Sequence, residues 1–219
     1  MRTFVFGDIH GQYNLFLNII KHINPQKEDR FIFVGDLIDR GPDSCILLDF
    51  LINFKDDFNC DFILGNHEQM LLGAMEGKSD FNYWLKFGGK NTLDSYKSEY
   101  NYPPKVKKEH LSFIKSFVDY VELENYIITH ASFNPNEDVK KFSDSFYRWN
   151  TPLVTEKHVS GKLFILGHTR VDVPYRFDGC VLIDTCSGKG ESITAICLED
   201  NLFITSNPKG IIKGFIDLS

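Results

Sequence analysis

Three short stretches place side chains that can bind metal directly after a glycine that ends an apolar run. They are residues 7–11 (GDIHG), residues 35–41 (GDLIDRG) and residues 65–68 (GNHE). A glycine lets the backbone turn sharply at a strand end and aims the next side chain into a crevice. The second stretch holds two carboxylates and a guanidinium, which are costly to bury unless they are paired or hold a cation. The pattern therefore predicts a metal site with Asp36 at its centre.

Two later apolar runs also end at a side chain that can bind metal. Tyr126–Thr129 leads into His130, and residues 163–167 lead into His168. The candidate ligands are Asp8, His10, Asp36, Asn66, His130 and His168. This mixture of carboxylate, imidazole and amide oxygen suits borderline divalent ions such as manganese, iron or zinc. Two ions sharing Asp36 would each keep open positions, and a water bridging them would become hydroxide near neutral pH.

A second group of polar residues adjoins these candidate ligands. His67 could protonate a leaving alkoxide while Asp39 fixes its tautomer. Arg40 and Arg148 could grip phosphate oxygens as bidentate donors. Together, metal ions, arginines and a histidine acid indicate in-line attack on phosphorus.

The elements that must position these residues alternate between strand and helix in the first part of the chain. Apolar spacing predicts helices over Tyr13–Ile23 and residues 46–54, each between two of the strands that precede the glycines. Alternation of this kind is typical of an α/β fold with a parallel sheet. Ligands bind at the carboxyl edge of such a sheet.

The second half of the chain is richer in strand patterns. These predict a second sheet, more antiparallel than the first, which includes a hairpin of residues 192–198 and 202–205. Residues 76–117 are polar and aromatic, and we expect helices and a loop over one side of the site. Tyr83, Trp84 and Phe87 are expected in the core or the cover rather than stacked on a substrate.

Length, charge and composition narrow the functional class. The 219 residues suit a single domain over residues 1–219, and a formal charge of −6 argues against a nucleic-acid-binding protein. The five cysteines form no C-x-x-C pair, which favours a reducing compartment. Residues 1–7 already read as a strand without a signal peptide, and no run is long and apolar enough to span a membrane. We therefore expect a cytoplasmic protein without a membrane partner.

The three glycine-containing stretches resemble the signature motifs of the phosphoprotein phosphatase branch of the calcineurin-like metallophosphoesterases. His130 and Gly167-His168-Thr169 are similar to its two later metal histidines, and the length is most like that of the small bacterial and phage serine/threonine phosphatases. The resemblance implies a four-layer α/β/β/α sandwich, with two mixed sheets flanked by helices. One departure is Ser132, where the family usually has glycine, and we expect the loop to be kept if its φ is negative.

The resemblance also implies a role for each candidate residue. Asp8, His10 and Asp36 would bind the first metal ion, and Asp36, Asn66, His130 and His168 the second. His67 and Asp39 would be the acid pair, and Arg40 and Arg148 the phosphate ligands. Manganese is the expected metal, with iron or zinc as alternatives. Glu68 is expected to be a structural acid, and His22, His110 and His158 to be surface residues.

Three functions remain open from the sequence. The favoured one is a phosphomonoesterase acting on phosphoserine and phosphothreonine in proteins, with phosphotyrosine as a further candidate. The alternative is a symmetrical dinucleoside polyphosphate (diadenosine tetraphosphate) hydrolase, which shares the motifs. A binding module without activity is disfavoured because no expected ligand is missing. No regulatory subunit is implied.

Overall fold

The computed structural model describes residues 1–218, which form two mixed β-sheets flanked by helices. The strands are β1 (Thr3–Phe6), β2 (Arg30–Phe33), β3 (Asn59–Phe62), β4 (Tyr120–Glu122), β5 (Tyr126–Thr129), β6 (Leu163–Arg170), β7 (Tyr175–Arg176), β8 (Cys180–Asp184), β9 (Ile193–Cys197), β10 (Leu202–Asn207) and β11 (Gly210–Phe215). The α-helices are α1 (Tyr13–Ile23), α2 (Ser44–Asp57), α3 (Asn66–Glu76), α4 (Lys78–Trp84), α5 (Lys90–Ser95), α6 (Lys108–Ile114) and α7 (Asp144–Arg148). This architecture confirms the predicted fold class.

The first sheet has the strand order β11-β10-β9-β1-β2-β3. Strands β1, β2 and β3 are parallel, and α1 and α2 connect them, as the alternating pattern predicts. Strand β9 pairs antiparallel with β1, and β10 pairs with both β9 and β11. The predicted hairpin of β9 and β10 therefore exists, but its assignment to the second sheet is wrong. It extends the first sheet because β1 has one edge open after it has paired with β2.

The second sheet has the order β4-β5-β6-β8-β7. Its three central strands, β5, β6 and β8, are parallel, and only the edge strands β4 and β7 are antiparallel. The expectation that this sheet is the more antiparallel of the two is wrong. Parallel strands suit a sheet covered on both faces, because neither face needs polar residues toward water.

The alternating side-chain directions along β1 and β2 explain how each strand contributes to two separate layers of the core. Phe4, Phe6, Phe31 and Phe33 lie on one face and pack with α1, α2 and α3. Residues between them, such as Val5 and Ile32, face the second sheet in a β-branched layer. Successive side chains of a strand point to opposite faces, so each strand supplies one side chain type to each layer. The aromatic layer is continuous: the rings of Phe33 and Phe62 stack with centroids 4.8 Å apart.

The segment after α3 forms a cover over one side of the carboxyl edge. Helix α4 runs through a π-helical turn (Leu85–Gly89) into α5, with a kink at Gly88. Trp84 is fully buried there, as expected for a core or cover residue, whereas Tyr83 and Phe87 are exposed. Among residues 1–218, the helices are too short or too polar to cross a membrane. The single-domain prediction extends to residue 219, which lies outside the described residues, and it stays a prediction.

Candidate metal centre

The predicted metal ligands lie together at the edge where the parallel strands of both sheets end. Asp8 and His10 follow β1, Asp36 follows β2, Asn66 begins α3, His130 follows β5, and His168 lies near the end of β6. Side-chain contacts of 2.9–3.9 Å link all six in series. The backbone N–H of His168 also donates to Asp8 Oδ1 at 3.1 Å, which closes the ring. Residues from both sheets therefore form one cluster.

His10 joins two of the carboxylates in the first half of this cluster. Its Nε2 lies 3.5 Å from Asp36 Oδ2 and 3.9 Å from Asp8 Oδ2. Its Nδ1–H donates to the carbonyl oxygen of Ile38 at 2.9 Å, so the lone pair of the neutral ring is on Nε2 and faces the carboxylates. A histidine whose second nitrogen is held by a carbonyl is the usual arrangement of a metal ligand.

The second half of the cluster is a convergence of lone pairs. Asn66 Oδ1 lies 2.9 Å from His130 Nε2 and 3.2 Å from His168 Nδ1. His130 Nδ1–H donates to the carbonyl oxygen of Val34 at 2.9 Å, so its Nε2 carries a lone pair. Asp36 Oδ1 lies 3.4 Å from the same Nε2. If the Asn66 amide were flipped, its NH₂ group would donate to the two histidine nitrogens and to Asp36. In the present orientation the amide oxygen faces these acceptors, and a cation bound among them would satisfy all of them. The donor set therefore fits a divalent metal ion.

Two triplets of ligand atoms have metal-like spacing, with all atoms of a triplet within 4.8 Å of one another. One is Asp36, His130 and His168, which agrees with the predicted second site. The other is His10, Asp36 and His67, so that His67 takes the place expected for Asp8. His67 Nδ1 is bonded to Asp39, which leaves only Nε2 to face the cluster, and Asp8 Oδ2 lies 3.9 Å from His10 Nε2.

Burial disfavours charge of either sign throughout the cluster. It raises the pKa of Asp8 well above its usual value, with the nearby Asp184 and Asp36 adding to the shift. Burial likewise raises the pKa of Asp36 and lowers the pKa values of His10 and His130 far below that of an exposed histidine. Metal binding requires deprotonated ligands, so an ion here would displace protons from the carboxylates. Divalent cations offset the repulsion between such carboxylates.

The backbone is strained at many of the predicted site residues. Positive φ angles occur at His10 (46°), Asp36 (50°), Asp39 (70°), Arg40 (65°) and His168 (59°). Residues other than glycine rarely adopt this conformation, and strain of this kind concentrates at functional sites. Ser132 is not among the residues with positive φ, which is consistent with the expectation that its loop is kept.

Glu68 fixes the loop that carries Asp36. Its buried carboxylate accepts backbone N–H bonds from Asp36 and Leu37 at 2.8 Å each, and from Ile38 and Gly65 at 3.2 Å each. Burial raises its pKa to about 7, while the backbone hydrogen bonds oppose that shift. The expected structural role of Glu68 is confirmed. Its hydrogen bonds link residues 35–41 to residues 65–68.

His67 and Asp39 form a buried pair beside the cluster. His67 Nδ1–H donates to Asp39 Oδ2 at 2.7 Å, and His67 Nε2 lies 3.9 Å from Asp36 Oδ2 without a hydrogen-bond partner. Two residues of the cover complete the shell of Asp39. Trp84 Nε1–H donates to its Oδ2 at 2.8 Å, and the Thr92 hydroxyl donates to its Oδ1 at 2.6 Å. Burial raises the pKa of Asp39 to about 7, and the hydrogen bonds from Thr92 and Trp84 oppose this. No motif in the sequence marked Thr92.

Thr92→Val is expected to lower the free energy of unfolding of the metal-free protein by about 1–3 kcal/mol, because a buried carboxylate loses a hydrogen bond. Thr92→Ser keeps the hydroxyl and is expected to lose less. Chemical denaturation at neutral pH measures both variants. An unchanged free energy of unfolding in Thr92→Val would show that the hydroxyl bond to Asp39 does not stabilise the fold.

The two predicted phosphate ligands have different surroundings. Arg40 Nη1–H donates to His10 Nε2 at 3.0 Å, so this guanidinium lies inside the cluster. Arg148 is buried and forms ion pairs with Asp119 and, at 2.9 Å, with Asp144. Its role as a phosphate ligand stays a prediction.

Two of the three histidines expected at the surface are buried. The His110 ring lies between Tyr96 and Asp49, with Nε2 2.9 Å from the Asp49 carboxylate. His158 contacts Ser160 and the carbonyl oxygen of Glu137. The surface expectation is wrong for both because their partners are distant in sequence or unmarked by any pattern. His22 is exposed as expected.

Comparison with known proteins agrees with this geometry. The family described as calcineurin-like phosphoesterase matches residues 1–190. Serine/threonine-protein phosphatase 2 of Escherichia coli is 34% identical over 200 residues, which cover 84% of this chain and 86% of that protein. A symmetrical bis(5'-nucleosyl)-tetraphosphatase of Buchnera aphidicola is 29% identical over 141 residues, which cover 64% of this chain and about half (47%) of that enzyme.

Solved structures agree on the fold. The crystal structure of a cold-active protein-tyrosine phosphatase from a psychrophilic Shewanella superimposes with a TM-score of 0.72 and 17% identity, covering 99% of this chain and 80% of that one. With the family match and the E. coli relative, the strand-end cluster identifies the chain. It belongs to the calcineurin-like metallophosphoesterases, a family that uses divalent metal ions, and it is a hydrolase of phosphoesters.

Proposed function

We propose that this chain is a phosphoprotein phosphatase that hydrolyses phosphoserine and phosphothreonine, and also phosphotyrosine, with two divalent metal ions. The observation that carries the proposal is the convergence of lone pairs around Asp36, beside an unpartnered histidine nitrogen. Asp36 Oδ2 lies near His10 Nε2, and its Oδ1 lies near His130 Nε2. A carboxylate between two sets of ligands is the arrangement that a dinuclear centre needs.

In the proposal, Asp8, His10 and Asp36 hold one ion, and Asp36, Asn66, His130 and His168 hold the other. Manganese is the proposed metal, with iron or zinc as alternatives, because oxygen and imidazole ligands without thiolate suit borderline divalent ions. When bound, the two ions supply Lewis acidity for the attacking water and for the phosphate.

Side chains of the protein bind the phosphate and supply the proton for the leaving group. Arg40 binds phosphate oxygens and orients the phosphorus for in-line attack. His67 gives a proton from Nε2 to the leaving oxygen, and Asp39 stabilises the imidazolium through Nδ1–H. The 2.7 Å contact between Nδ1 and Asp39 Oδ2 supports this direction of transfer, because it leaves Nε2 as the atom that faces the cluster. Arg148 is proposed as a second phosphate ligand that exchanges an acidic partner for substrate.

The relatives favour a protein substrate. The chain spans 86% of the E. coli phosphatase but only 47% of the tetraphosphatase. Hydrolysis of diadenosine tetraphosphate is kept as the alternative, because the tetraphosphatase match covers 64% of this chain.

Rates with manganese on a phosphoserine peptide and on diadenosine tetraphosphate test the substrate. We expect kcat/KM for the peptide to exceed that for the dinucleotide by about tenfold or more. A ratio below one would overturn the protein substrate in favour of the alternative. The same assays with Asp36→Asn protein show whether the activity comes from this site.

A further inference from the structure

Arg40 is held without an acidic partner. Its Nη1–H donates to His10 Nε2, and no carboxylate within residues 1–218 forms an ion pair with the guanidinium. By contrast, two aspartates bind Arg148. A long, flexible side chain loses rotamer freedom when it is fixed in one place. The charge of Arg40 acts on the nearby buried acids Asp8, Asp36 and Asp39, but within the described part of the chain no direct ion pair fixes the position of its side chain.

The first part of the Arg40 side chain contacts Gly88, at the kink of the π-helical turn. A Cβ on Gly88 would lie 2.8 Å from both Arg40 Cγ and Arg40 N, closer than real Cβ atoms approach. The φ of Gly88 is +117°, which side chains rarely permit. The backbone N–H of Arg40 also donates to the Gly88 carbonyl oxygen at 3.3 Å. Contact with the backbone of Gly88 therefore fixes the first part of the Arg40 side chain.

The far part of the Arg40 side chain contacts Gly188, in the 3₁₀ turn Ser187–Lys189 that follows β8. A Cβ there would lie 2.7 Å from Arg40 Cδ and 2.8 Å from Arg40 Nη1. The same Cβ would lie 3.0 Å from His10 Cδ2. Arg40 thus lies against two glycines from segments that are far apart in the chain.

We propose that Gly88 and Gly188 are positioning residues, a glycine clamp that holds the Arg40 guanidinium at the metal centre to bind substrate phosphate. The inference rests on the proposed function, in which Arg40 is a phosphate ligand. The glycine clamp places no carboxylate in direct contact with the guanidinium, so its N–H donors other than the one bonded to His10 stay available to the substrate phosphate at a fixed position. A carboxylate would hold the side chain equally well, but it would compete with phosphate for the same donors.

Equilibrium binding of inorganic phosphate to manganese-loaded protein, followed by calorimetry, tests the clamp. We expect Gly88→Ala and Gly188→Ala each to weaken binding by about tenfold or more, the loss typical of one hydrogen bond to a charged group. Gly188→Ala serves as the second variant because the φ of Gly188 is not positive, so its backbone need not rearrange. Gly210→Ala is the matched control, because Gly210 has a φ of +135° but no atom within 4 Å of a Cβ. The control variant should bind phosphate normally.

A double-mutant cycle with Arg40→Ala separates the clamp from the role of Arg40 itself. If the glycines act through Arg40, they should add no further loss once Arg40 is alanine. Equal losses with and without the arginine, or no loss at all from either glycine variant, would overturn the clamp while leaving the proposed function in place. Unchanged phosphate binding by Arg40→Ala alone would remove Arg40 from the phosphate site, and the clamp with it.

Discussion

Manganese-loaded His67→Asn protein is expected to hydrolyse a phosphoserine peptide about 10²- to 10⁴-fold more slowly than the native protein, the range typical of a lost general acid. The loss on p-nitrophenyl phosphate should be much smaller, because that leaving group departs without a proton. Asparagine can still donate to Asp39 in place of Nδ1–H, so the buried carboxylate keeps its partner. The measurement is the ratio of the steady-state kcat on the phosphopeptide to that on p-nitrophenyl phosphate, in the variant and in the native protein.

The control for this prediction is a second histidine-aspartate pair, in which the histidine is buried and the aspartate is partly exposed. His110 Nε2 lies 2.9 Å from Asp49 where α6 contacts α2, away from the metal ligands. His110→Asn should leave the ratio of the two rates unchanged, even where it lowers stability. Metal content should be normal in both variants. Full turnover of the phosphopeptide by His67→Asn would contradict the general-acid assignment.

Asp36→Asn is expected to abolish the binding of both metal ions, because this carboxylate would be shared by the two sites. The amide nitrogen that replaces one oxygen is a donor and cannot serve as a ligand. Metal analysis after gel filtration should find fewer than one manganese per chain, against two for the native protein. A variant that still carries two ions would rule out a bridging role for Asp36.

Thermal unfolding supplies an independent measurement on the same variant. Adding manganese should raise the Tm of the native protein, since an ion that binds only the folded state at about 1,000 times its Kd stabilises by roughly 4 kcal/mol. The Tm of Asp36→Asn should not respond. Asp61→Asn, which changes a half-buried carboxylate paired with Arg30, should keep the full response.

The local pattern predicted which side chains lie together because each candidate ligand lies at or just after a strand end that the chain itself marks. Helix α1 has the predicted bounds, Tyr13–Ile23, and the apolar spacing that fixes them is local. Parallel strands bring their carboxyl ends to one edge, so the meeting of Asp8, Asp36 and Asn66 follows from the order of elements. The six predicted ligands accordingly lie in one cluster.

Features that depend on distant pairing could not be predicted in this way. The pattern of β9 marks it as a strand, but nothing in it specifies that Phe4 pairs with Cys197. Likewise, His110 meets Asp49 across 61 residues. Thr92 could not be found because one hydroxyl in a polar segment has no distinguishing neighbours. The sequence therefore predicted which segments form strands, but not which strand or side chain each one contacts.

The division of the ligands between the two sheets has a consequence for assembly. Every residue proposed for the first ion follows a strand of the first sheet. The second ion would take Asp36 and Asn66 from segments that follow strands of that sheet, and His130 and His168 from the other sheet. The second ion would thus act as a cross-link between the two halves of the sandwich, much as a disulfide joins distant segments. Its affinity would therefore depend on how the two sheets pack against each other.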